Sequence, residues 1–179
     1  MIIEVSELPN LRNKYSDHTI MLGNGVFDLL HSGHLAALEK MKDIAGNFIP
    51  GKPGLLIIEI PEDALIAKNK APTQNVPRPV RNQDDRARLI DGIGVVDFVF
   101  IGTQDDCPDG DRWPDMTYIR SLKPDIYKAS NAADWEKYYP EMETLGTTSV
   151  QVNIPSDQST TSIIEKICHA TNNKSPGKR

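Results

Sequence analysis

Residues 23–35 read GNGVFDLLHSGHL, two glycines two apart followed by two histidines three apart. The residues before this stretch, 19–22, form a short apolar run, and those after it repeat apolar side chains at helical spacing through Leu35, Leu38, Met41 and Ala45. A run of one period giving way to the other predicts a strand that ends near Leu22 and a helix that spans residues 34–45. Gly23 and Gly25 let backbone N–H groups approach an anion closely, and the helix points its positive end at the same place. In open α/β sheets, ligands bind at this carboxyl end of a strand.

The pattern repeats along the chain. Residues 55–60, 98–101, 126–128 and 149–152 read as further strands, and residues 84–93, 116–122, 134–145 and 160–170 as helices between and after them. Alternation of this kind predicts a Rossmann-like α/β fold: one parallel five-stranded sheet with helices on both faces. The 179 residues fit a single domain covering residues 1–170, followed by a polar tail, 171–179, expected to be disordered. Three loops interrupt the pattern. Residues 47–54 carry Pro50, Gly51, Pro53 and Gly54 and read as a surface turn. Residues 68–83 combine Pro72, Pro77 and Pro79 with Lys68, Lys70, Arg78 and Arg81, and a long cationic loop in a compact domain more often serves function than filler. The acidic stretch 103–115 reads as solvated.

Composition narrows the function. Hydrophobic residues make up 39% and charged residues 25%, the balance of an ordinary folded protein. A net charge of −5 argues against a nucleic-acid partner, whose phosphate backbone demands clustered cations, but leaves room for a small anionic ligand. Cys107 and Cys168 stand alone, as in a reduced protein without disulfides. The first fifteen residues lack the basic start and apolar run of a signal peptide, and no stretch is apolar enough to span a membrane, so the expected location is cytoplasmic.

His31 and His34 sit at a helix entrance with Gly33 between them, so both rings can meet one ligand. Taken alone they fit three roles: structural residues, metal ligands, or anion-binding and catalytic groups. A zinc site needs further ligands, and His18 and His169 lie in no ligand-spaced cluster. A dinucleotide fingerprint fails because Asp28 stands where its third glycine belongs, and no G-x-x-x-x-G-K-[S/T] phosphate loop is present.

Through Gly25, Phe27, Asp28, His31, Gly33 and His34, the stretch resembles the G-x-F-D-x-x-H-x-G-H signature of the cytidylyltransferase-like nucleotidyltransferases. Lys68-Asn-Lys70, Pro79-Val80, Arg86, Pro124-Asp125-Ile126-Tyr127-Lys128 and the STTSII of residues 159–164 follow in that family's order. Within the family, the order is most similar to the adenylyltransferase domain of ADP-heptose synthases. Glycerol-3-phosphate cytidylyltransferases, the main alternative, carry an Arg and a Gly-Ile before the S-T-T, where this chain has Pro155 to Gln158. Two departures concern acceptor and base recognition: Ala129 replaces a glycine, and Glu59-Ile-Pro61-Glu62-Asp63 replaces a smaller Ser/Thr-Asp strand end.

The resemblance implies an enzyme that joins a nucleoside monophosphate, AMP favoured, from a nucleoside triphosphate to a phosphorylated sugar or polyol and releases pyrophosphate. It implies catalytic roles for His31, His34 and Lys68, with Lys68 also on the acceptor phosphate. Gly25, Val26, Phe27, Lys70, Lys128, Asp134, Ser159, Thr160 and Thr161 would bind the nucleotide, and Asp28 and Arg86 would lie at the acceptor. Mg²⁺ is expected to be held mainly by the phosphates, with no protein metal site, as its preference for oxygen and water allows. A homodimer is common in the family. The competing non-enzymatic reading is a silent nucleotide-binding subunit, against which the retained histidines and lysines argue.

Overall fold

A computed structural model describes residues 1–106, 115–129, 133–154 and 158–172. Five parallel strands form one sheet: β1 (Thr19–Asn24), β2 (Gly54–Pro61), β3 (Phe98–Gly102), β4 (Ile126–Ala129) and β5 (Thr148–Gln151), in the order β3-β2-β1-β4-β5. β1 and β2 are buried nearly end to end, which explains their continuous apolar runs: a strand covered on both faces has no solvent side to mark with polar residues. Edge strand β5 is only half-buried or exposed along its length.

Successive strand residues feed two cores. Ile20 and Leu22 of β1, Leu55 and Ile57 of β2, and Phe98 and Phe100 of β3 face α1 (Leu8–Lys14), α5 (Asp115–Leu122) and α6 (Tyr139–Thr144). Met21, Leu56, Ile58, Ile60 and Val99 face α2 (Ser32–Phe48) and α4 (Gln83–Asp91). Two helices complete the set: α3 (Asp63–Asn69), just after β2, and α7 (Thr160–Asn172). The expected Rossmann-like sheet with helices on both faces is thus the fold observed.

Several elements differ from the sequence expectation, each for a local reason. α2 starts at Ser32 because His31, with extended backbone, is its N-cap, and Leu35 of the expected apolar stripe is 43% exposed while Leu38, Met41 and Ala45 are buried. The helix expected over residues 134–145 is a 3₁₀ turn (Ala133–Tyr138) followed by α6, and Pro140 marks the join because it has no N–H to continue the first turn. α1 and α3 fall outside the expected helices. Each is seven residues long and buries two apolar side chains, Leu8 and Leu11 in one, Leu65 and Ile66 in the other, too few to show a period. The acidic loop is not wholly solvated: Asp106 accepts hydrogen bonds from the buried Tyr118 hydroxyl (2.8 Å) and from Thr103. Its residues 107–114, with Cys107, lie outside the described residues, as does the tail from 173 onward.

The topology fixes where a ligand belongs. The chain leaves β1 toward β2 and β3, then crosses back to place β4 on the other side of β1. The carboxyl ends of β1 and β4 therefore open a crevice at the switch point of the sheet.

Candidate active site

A cavity of about 300 Å³ occupies that crevice. It is lined by Asn24 at the end of β1, Lys128 at the end of β4, His31, Gly33 and His34 at the start of α2, and Val152 and Ile154 just after β5. Lys128 Nζ reaches Asn24 Oδ1 at 3.5 Å, and Asn24 donates to the Tyr127 hydroxyl at 3.2 Å, so the two strand ends are tied across the switch point. A larger pocket of about 430 Å³ between α6 and β5 is lined by Tyr139, Met142, Glu143, Thr147, Thr148, Ser149 and Gln151. It has no cationic side chain, whereas the first has Lys128 and both histidines, the groups that suit a phosphate.

The turn between β1 and α2 is shaped by Phe27. Its backbone lies in the left-handed region (φ 48°), unusual for a bulky side chain, and its ring is buried. The ring folds back over the strand end, where a Cβ on residue 25 would meet its Cε2 at 2.6 Å; glycine is required there for contact and not for a phosphate alone. The Phe27 ring lies 5.2 Å from that of His34, which stacks on His31 at 3.8 Å with 27° between the planes.

This stack determines which ring nitrogens are available. Nδ1 of both His31 and His34 is sealed from solvent and has no hydrogen-bond partner among the described residues. With Nδ1 of each ring closed off, Nε2 is the nitrogen left to meet a ligand, and a proton there avoids a buried unpaired donor. Burial lowers the pKa of His34 to about 4, helped by the neighbouring His31 and opposed by Asp28; burial also lowers that of His31. Two neutral N–H donors thus flank the start of α2, where the Ser32 and Gly33 N–H groups have no preceding turn to bond. Uncharged donors, a helix N-terminus and the Lys128 ammonium form a cradle for an anion of several oxygens.

The remaining expected site residues divide. Gly25 and Phe27 line the cavity with the histidines and Lys128. Asp28 and Arg86 do not: each is fully buried, and its hydrogen bonds go to protein. Asp28 accepts from Arg78 Nε (2.7 Å) and from the Val80 and Arg81 amides (2.8 and 2.9 Å). Arg86 donates to the carbonyls of Val26, Pro61 and Arg81 and to Asp63. The Val26 carbonyl is therefore spent on Arg86. Lys68 and Lys70 are exposed at the end of α3, with Lys68 donating to Gln104 at 3.2 Å, and neither lines the cavity. Ser159 caps α7 by a reciprocal pair of bonds with Ser162; Thr160 is buried and Thr161 exposed, and none of the three lines the cavity. Asp134 lies in a 3₁₀ turn, and its side chain is outside the described residues.

Sequence reasoning missed Asn24, Ala37, Met41, Val152 and Ile154 as lining residues. For the last two a signal existed, since Val150, Val152 and Ile154 alternate through the end of β5. Among the described residues, no group of three His, Cys, Asp or Glu side chains is placed to hold a metal, and no helix is long and apolar enough to cross a membrane.

Comparison with known proteins agrees with this geometry. The family model described as cytidylyltransferase-like matches residues 22–166. The bifunctional protein HldE of Campylobacter concisus is 28% identical over 94% of the chain, and that of Campylobacter fetus 31% over 93%. The chain spans about 31% of the length of these relatives. In fold, it is similar to the lipopolysaccharide core biosynthesis protein of Thermoplasma volcanium, with a TM-score of 0.56 and 22% identity over 78% of this chain and 99% of that one. With its signature histidines paired at the switch point and the match running through nearly the whole sheet, the chain belongs to the cytidylyltransferase-like family and carries that family's nucleotidyltransferase domain.

Proposed function

We propose that the protein transfers AMP from ATP to a phosphorylated sugar or polyol, releasing pyrophosphate. The observation that carries this reading is the stacked His31–His34 pair, whose sealed Nδ1 atoms leave two Nε2 donors beside the free N–H groups of α2. In this reading an oxygen of the acceptor phosphate attacks the α-phosphorus, the new P–O bond forms, and the bond to the β-phosphate bridging oxygen breaks. Negative charge grows on the phosphoryl oxygens as this happens. Donors fixed in place before the reaction lower the barrier without reorganising. The acceptor phosphate is already a good nucleophile near neutral pH, so no covalent enzyme intermediate is needed and positioning carries the remainder.

Lys128 supplies a fixed cation in the cavity. Lys68 and Lys70, exposed on the segment after β2, suit closure over the acceptor and the outer phosphates. Mg²⁺ bound to the triphosphate would neutralise charge on the leaving pyrophosphate and would be held mainly by phosphate oxygens and water, as its preference for hard oxygen ligands allows. Ser159 to Thr161 keep a proposed part at the outer phosphates through α7, the Ser159 hydroxyl excepted while it caps that helix. Asp134 is proposed near the base.

The preference for ATP rests on the missing Arg and Gly-Ile before Ser159 and on the relatives being HldE proteins. The test is pyrophosphate release with ATP, CTP, UTP and GTP against a panel of sugar 1-phosphates and glycerol 3-phosphate. We expect kcat/KM for ATP to exceed that for CTP by about tenfold or more, since a base pocket built for one edge leaves polar groups unpaired with the other. A preference of that size for CTP would move the assignment to cytidylyl transfer. No turnover with any nucleotide, despite binding, would leave a silent nucleotide-binding subunit.

A further inference from the structure

We propose that Arg78 is a positioning residue: its buried ion pair with Asp28 locks the cationic segment 68–81 onto the turn that carries His31 and His34. The role rests on the nucleotidyl-transfer reading above, because what it holds in register are the two halves of that site.

The Arg78 side chain is 9% exposed and that of Asp28 is 0% exposed, although both belong to polar loops. Three donors converge on one carboxylate. Arg78 Nε takes Oδ2, and the Val80 and Arg81 amides share Oδ1. A single contact would leave the segment free to pivot; three from residues 78, 80 and 81 fix its direction as well as its place. Arg86 makes a second tie between the same two stretches, donating to Val26 O at 2.9 Å and to Arg81 O at 3.2 Å. The far end of the segment is held differently, by exposed Lys68 on Gln104, and residues 71–77 between them include two left-handed positions, Gln74 and Asn75. One end is therefore clamped at the histidine turn while the lysine end remains at the surface. Apolar packing would glue the surfaces together without a fixed register. A fully paired buried carboxylate holds one register and penalises departure from it, because opening strands a charge out of water.

The experiment uses the full chain with Arg78→Ala, Arg78→Lys and Asp28→Asn. Amide hydrogen exchange reads the lock without reference to activity. Exchange at Val80 and Arg81 should speed up by about tenfold or more in Arg78→Ala while Leu22 of β1 keeps its protection, since a local opening spares the global fold. Steady-state kinetics then read the positioning. Arg78→Ala should lower kcat/KM for the acceptor by about 30-fold or more, with the dissociation constant for ATP in Mg²⁺ changed less than about threefold. Arg78→Lys keeps the charge and should recover part of the loss. It also carries the same test should the alanine variant fail to fold. Unchanged exchange at Val80 and Arg81 overturns the lock. Faster exchange with unchanged acceptor kinetics, or with nucleotide affinity falling in step with kcat, overturns the positioning role. If the wild-type chain turns over no nucleotide, the transfer reading has failed, and the exchange arm still decides whether the ion pair holds the segment.

Discussion

Asp28 and His31 stand three residues apart in one motif, yet they meet different surroundings. Asp28 is fully buried and accepts three hydrogen bonds from protein, whereas His31 and His34 keep their Nε2 groups for something the protein does not supply. In the proposed reading, the beginning of the motif builds the site and its end uses it. A motif residue can be indispensable without touching substrate, and the difference is visible in whether its polar atoms are already satisfied.

The largest expected effect lies on the buried side of the motif. Arg86→Ala would strand the carbonyls of Val26, Pro61 and Arg81, and we expect a stability loss of about 3 kcal/mol or more, read by urea unfolding. A loss under about 1 kcal/mol would show that Arg86 is not part of the scaffold. On the ligand side, His31→Ala and His34→Ala should each lower kcat by about 100-fold, equivalent to roughly 2.7 kcal/mol, while the unfolding midpoint barely moves. If activity and stability fell together in all three variants, the division between building and using residues would be false.

Two smaller effects sharpen it. Gly25→Ala places a methyl against the Phe27 ring, so it should cost about 1–3 kcal/mol as the ring is displaced, and kcat should fall because Phe27 packs on His34. The smallest effect concerns pH. His34 has a folded pKa of about 4 against 6.5 in the unfolded chain, so below 6.5 the unfolded chain takes up a proton that the folded site refuses. Its contribution to stability is therefore lost as pH falls from about 6.5 to about 4 and is constant above that window. His34→Gln should flatten the pH dependence of the unfolding midpoint in that range; an identical slope in the variant would mean that the ring is not desolvated in solution.

The central strands β1 and β2 were legible because burial on both faces leaves an unbroken apolar run, and all five strands lie within two residues of their expected ends. The spacing of the histidine pair left three roles open, and the pair became legible only through the six signature positions from Gly25 to His34 that surround it. Arg86 was placed at the acceptor, and Asp28 was left open between the acceptor, the metal and orienting the phosphate loop, because charge in a sequence does not reveal whether its partner is ligand or protein. Arg78 stood out only as one cation of a long loop, and nothing in the sequence pointed to its partner Asp28, 50 residues away along the chain. The apolar side of the cavity was missed for the opposite reason: Val152 and Ile154 read as strand-end packing and acquire meaning only when β5 brings them to the same cavity as α2. α1 and α3 show the limit of periodicity, since one turn and a half cannot display a 3.6-residue repeat.

Whether the two imidazoles meet the triphosphate decides the proposed mechanism. Imidazole-resolved NMR of His31 and His34, titrated with pH in the free chain and with saturating ATP and Mg²⁺, tests this directly. The account predicts that both rings start neutral at pH 7, protonated at Nε2, and that nucleotide shifts both Nε2 resonances and raises the pKa of His34 from about 4, because a bound phosphate stabilises the imidazolium. Imidazole resonances and pKa values unchanged under saturating nucleotide would contradict it.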